Sequence, residues 1–185
     1  MSQFVRFKVD DLIAFQAFQR VFDVIKQIKN LDWENAGDDE SGEWDYVLAE
    51  NSGPFDSTVE PEYDLDKIRN LIPVTIRSNF IWPSAEEIQR HKVDQTRPLA
   101  ISRPGMFFGK QWSLVRVLDL IDSCEYTLDR CEMVADGTAE LHIETRSYPY
   151  GGLNALIALV EGFGFYVVGV NECGRYESRD ELEQN

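Results

Sequence analysis

The sequence predicts an α+β fold in which an antiparallel sheet packs on helices. Three observations predict it. Apolar residues recur every three or four positions in some segments and every second position in others. Asp136-Gly137 stands between two alternating runs, a hairpin signal. With 43% hydrophobic and 12% aromatic residues in 185, the chain can build a real core.

Residues 4–9 (F-V-R-F-K-V) alternate apolar and charged side chains and read as a short strand. Asp10 or Asp11 can then cap a helix of about five turns. Its stripe is Leu12, Phe15, Phe18, Phe22 and Ile25, widened by Ile13, Val21, Val24 and Ile28. The phenylalanines fit core packing better than a ligand box. Residues 43–50 read as a strand with Trp44, Tyr46 and Leu48 on one face, and 51–63 as a loop. A short helix is expected over 64–71 and a strand over 73–82. Ser84 with Glu87 has capping-box spacing for a helix over 85–93.

The C-terminal half follows a clearer order. Residues 97–103 read as a strand, 112–121 as a helix, and 126–134 with 138–148 as two hairpin strands. Gly151-Gly152 opens a helix reaching Gly162, and 165–170 is a closing strand. The order β-α-β-β-α-β is the ferredoxin-like pattern. The N-terminal half reads as a weaker α+β arrangement, a diverged repeat of it without residue-level similarity. The chain is accordingly a single α+β domain over 1–185. The alternative division is an N-terminal half over 1–95, a ferredoxin-like half over 96–176 and a flexible tail over 177–185.

Charge is the unusual feature. The net charge is −15, and residues 31–66 hold thirteen Asp or Glu with no Lys, Arg or His. Residues 1–30 carry five basic and three acidic side chains, and 67–185 thirteen basic and seventeen acidic. Direct nucleic-acid binding is not expected of such a surface, because it repels phosphates. Charge runs are usually solvated faces, yet Trp33, Trp44, Tyr46, Phe55 and Tyr63 interleave with these carboxylates. Aromatic and acidic side chains together suit a basic protein partner. Trp33, Asp38, Asp39, Glu40, Glu43, Trp44 and Tyr46 are the expected partner-binding residues.

Three cysteines (Cys124, Cys131, Cys173) with no C-x-x-C suit a reducing cytoplasm and no disulfide framework. The first residues carry no secretory h-region. Residues 153–170 have the length of a membrane span, but Asn154, Glu161 and three glycines favour a buried helix followed by a strand. No membrane association is expected.

Chemical motifs are scarce. Gly151-Gly152 lacks the third glycine of a dinucleotide fingerprint. Gly105 to Gln111 is one residue short of a phosphate loop and has Gln in place of Ser or Thr. The acidic D-D-E-S-G-E-W-D puts glycine at the wrong place for a calcium loop. Glu140, His142, Glu144 and Arg146 alternate along one strand, and a solvated polar face is the favoured reading. His142 with Glu144 matches half a zinc-deaminase signature, but the P-C-x-x-C is missing. No nucleophile elbow occurs, and no cofactor, metal site or catalytic residue is assigned.

One constellation follows from the topology. The sheet end that holds the exits of the third and fourth strands would gather Arg97, Cys124, Tyr148, Tyr150, Gly151, Gly152, Asn171, Glu172, Cys173 and Arg175. Arg97, Tyr148, Tyr150, Gly151, Gly152, Glu172 and Arg175 could there hold a small anion. Two functions are therefore expected. The first is an acidic interaction protein that sequesters a basic partner, as an inhibitor, immunity protein or nucleic-acid mimic does. The second is a small-molecule enzyme or sensor using the sheet end. A homo-oligomer joined through the sheet's exposed face is compatible with both.

Overall fold

The structure is a computed structural model and describes residues 3–35, 63–82, 112–122, 124, 126–134, 137–145, 153–172 and 174–182. Side chains of 31–35, 112, 116 and 119 lie outside this description. The elements are β1 (Gln3–Lys8), α1 (Leu12–Asn35), α2 (Leu65–Leu71), α3 (Val74–Arg77), β2 (Phe80–Ile81), β3 (Trp112–Ser113) and α4 (Leu114–Asp122). There follow β4 (Tyr126–Met133), β5 (Thr138–Thr145), α5 (Asn154–Gly162), β6 (Tyr166–Glu172), β7 (Arg175–Ser178) and α6 (Arg179–Leu182). Five strands form one antiparallel sheet in the order β4-β5-β1-β6-β7 and pack against helices, an α+β architecture. A two-residue parallel pairing joins β2 to β3.

The N-terminal strand occupies the middle of the sheet. Its alternation sends Val5 and Phe7 inward, and they face Leu141 and Ala139 of β5 and Val170 and Val167 of β6. The place between β5 and β6 is thus held by the N-terminal strand. Residues 97–103 lie outside the described residues, as do the expected strand over 43–50 and helix over 85–93.

Helix α1 starts where the aspartates predict. Asp11 Oδ1 accepts from the N–H groups of Ile13 and Ala14 at 2.8 and 3.1 Å. Phe15, Phe18, Val21, Phe22 and Ile25 are buried as expected, with Ala14 and Ala17 beside them. The stripe departs from expectation at both ends. Leu12 and Ile13 are 62% and 73% exposed, whereas Lys29 is 1% exposed and Ile28 only half-buried. Ala14 and Phe15 of the same first turn are buried, so Leu12 and Ile13 lie on the outer side of the helix. The rings of Phe7 and Phe18 meet edge to face at 5.6 Å, and Phe18 and Phe163 at 5.1 Å. These rings fill the core between sheet and helices.

Two segments depart from their predicted type. Residues 73–82 form a helical turn before a two-residue strand: Pro73 is the N-cap, with φ fixed near −54°, and its carbonyl takes the N–H groups of Ile76 and Arg77 at 2.9 and 3.1 Å. Helix α4 begins at Leu114 because Trp112–Ser113 are drawn into pairing with β2. The hairpin of β4 and β5 is as expected, and Gly137 takes the left-handed conformation at φ 67°. After β6 the described chain continues with the strand β7 and the helical turn α6. Glu181 Oε2 accepts from the Ser178 N–H and hydroxyl at 2.7 Å each, the carboxylate half of a capping box at the start of α6. Arg179 is buried over the Tyr166 ring, and Leu182 joins the core.

Candidate functional site

The described part of the predicted sheet end is built by strand termini. Gln3 opens β1, Tyr126 opens β4, Thr145 closes β5, and Asn171 and Glu172 close β6. Gln3 Nε2 donates to Thr145 Oγ1 at 3.3 Å across this end. Of the expected anion-binding residues, Glu172 and Arg175 are opposite partners where β6 turns into β7. Arg175 is drawn along its own strand, with Nε 3.1 Å from Glu177 Oε1. Arg97, Tyr148, Tyr150, Gly151 and Gly152 lie outside the described residues, as does Cys173.

Helix α1 adds a residue to this end that sequence reading missed. Lys29 descends onto the C-terminus of α4, and its ammonium donates to the Asp122 carbonyl at 3.1 Å and the Cys124 carbonyl at 2.8 Å. The same ammonium lies 5.0 Å from the Tyr126 ring centre. A cation over the last carbonyls of a helix satisfies acceptors that the helix leaves open and complements its dipole. Tyr63 extends the cluster, its hydroxyl 3.4 Å from Asp122 Oδ1. Burial raises the Cys124 thiol above its ordinary value, against the Tyr126 hydroxyl and the Lys29 charge, which lower it. Burial, with Cys124 next, holds the Tyr126 phenol well above its usual range. A thiol kept neutral in this way is a poor nucleophile. The cluster is chemically a helix cap.

The polar face of the sheet carries a second cluster. Arg6 Nε donates to Glu140 Oε1 at 2.8 Å, with Arg6 Nη2 on the same oxygen. His142 Nε2 lies 3.0 Å from Glu140 Oε2. The guanidinium sits 5.2 Å from the Phe4 ring centre and 5.4 Å from that of Tyr176. Glu140 and His142 are 8% and 5% exposed, so the solvated-face reading fails for both and holds for Glu144, which is exposed. The physical reason is cross-strand: Phe4 stands opposite His142 and Arg6 opposite Glu140, and each pair shields the polar atoms between. Tyr176 reaches over Gly169, where a side chain would meet the tyrosine hydroxyl and the Glu177 carbonyl.

A shallow groove between α1 and β4 is lined by Gln16, Gln19, Arg20, Phe22, Asp23 and Cys131. The Cys131 thiol is pushed far up by burial, and the charges of Asp23 and Glu132 act in the same direction. Its floor is structural too, since Gln19 Nε2 donates to the Cys131 carbonyl at 3.0 Å.

The expected partner-binding residues fall largely elsewhere. Trp33 is in the last turns of α1 with its side chain outside the description, and Asp38, Asp39, Glu40, Glu43, Trp44 and Tyr46 lie outside the described residues. Among the described residues no three of His, Cys, Asp or Glu converge as a metal set. Among them, too, no helix is long and apolar enough to cross a membrane.

No family model matches the chain, and no curated protein and no solved structure matches it either.

Proposed function

We propose that this chain is an acidic interaction protein that docks on, or sequesters, a basic protein partner. The observation that carries the reading is the charge distribution: thirteen carboxylates and no cation over residues 31–66, in a chain of net charge −15. The stretch joins α1 to α2, and both helices put apolar residues into the core, Ile25 from one and Ile68 from the other. Its two ends are therefore anchored to a packed body. An anchored acidic segment with interleaved aromatics has the composition of a surface that steers and holds a basic partner. Inhibitors, immunity proteins and nucleic-acid mimics are the functional types it fits.

The scaffold under this reading is a single ferredoxin-like domain made of β1, α1, β4, β5, α5 and β6. What supports it is the antiparallel order β4-β5-β1-β6, with β7 added at one edge. The acidic stretch then falls in the connection between the first helix and the second strand of the pattern.

The test is capture of partners by the purified chain from native lysate in low salt. A basic protein should be retained at about 0.1 M salt and lost near 1 M, as the screening length falls from about 10 to about 3 Å. The variant D38N/D39N/E40Q/E43Q should retain much less of it. Equal retention by the variant would overturn the reading.

The second reading, a small anion held at the sheet end, has weaker support. The Arg175 guanidinium is already engaged by Glu177, and the Lys29 ammonium by two carbonyls.

A further inference from the structure

We draw no further inference here: the strongest candidate, the Phe4, Arg6, Glu140, His142 and Tyr176 cluster on the polar face of the central strands, has its ionic groups turned on one another, and nothing in the structure shows what covers it.

Discussion

Asn30 grips the backbone of Leu128 from both sides: its Nδ2 donates to the Leu128 carbonyl at 2.9 Å, and its Oδ1 accepts from the Leu128 N–H at 3.1 Å. Leu128 lies on β4, an outer strand of the sheet, so α1 supplies the pairing that a sixth strand would otherwise give. Lys26 Nζ on the Asp129 carbonyl and Gln19 on the Cys131 carbonyl continue the same seam. An edge closed in this manner is a poor template for another chain.

Replacing Asn30 with Ala should therefore act on one edge. Two backbone groups lose their partner, and a loss of about 1–2 kcal/mol in urea unfolding is expected. Amide exchange at Leu128 should quicken more than at Leu141, which sits on the adjacent inner strand. Uniform quickening at both positions would show a global effect and reject the edge-sealing role.

Lys29→Met keeps the apolar stem and removes the ammonium. It leaves the Asp122 and Cys124 carbonyls without this donor, and a loss of about 2–3 kcal/mol is expected. Lys26→Met should cost less, because Lys26 is only half-buried. Denaturant midpoints of the two variants, read at unchanged slope, decide it. An equal cost for both would mean that burial of the cap contributes nothing.

Gly162 and Phe80 are matched by space. A Cβ on Gly162 would fall 2.3 Å from ring carbons of Phe80, which is 3% exposed. Gly162→Ala should destabilise by about 1–3 kcal/mol through overpacking. Adding Phe80→Leu should recover part of that loss, so that the double variant is better than the sum of the singles. Strict additivity would show that the alanine is absorbed elsewhere.

Stability should fall at high pH. Cys124 keeps its proton in the folded chain beyond the ordinary thiol value of 9.0, and Tyr126 beyond the ordinary phenol value of 10.0. The unfolded chain loses both protons first. The contribution of each group is whole below its ordinary value and is lost as pH rises through the folded value. Urea midpoints from pH 7 to pH 10.5 should be level below about pH 8.5 and decline above it. Cys124→Ala and Tyr126→Phe should each make the decline shallower, and an unchanged decline in the double variant would exclude both groups.

The candidate sites were only partly legible. Glu140 and His142 were recognisable as neighbours on one strand face, since strand periodicity is local. Their burial was not, because it depends on Phe4 and Arg6, more than a hundred residues away along the chain. Lys29 carried no signal at all. In the sequence it is one more cation on the flank of a helix, and only the end of α4 gives it acceptors. The 73–82 segment misled because a run rich in β-branched and aromatic residues reads as a strand, whereas the Pro73 carbonyl starts a turn.

By itself the sequence determined what is decided within a few residues: the alternation of β1, the Asp11 cap and stripe of α1, the turn at Gly137 and the charge of residues 31–66. Tertiary structure decided which alternating segment lies at the centre of the sheet. Residues 4–9 and 97–103 both read as strands, and local pattern cannot rank them. Pairing between β5 and β6 ranks them, because the central place must bury one face on the helices and shield polar atoms on the other. In the structure Val5 and Phe7 meet the first demand, and Phe4 and Arg6 meet the second.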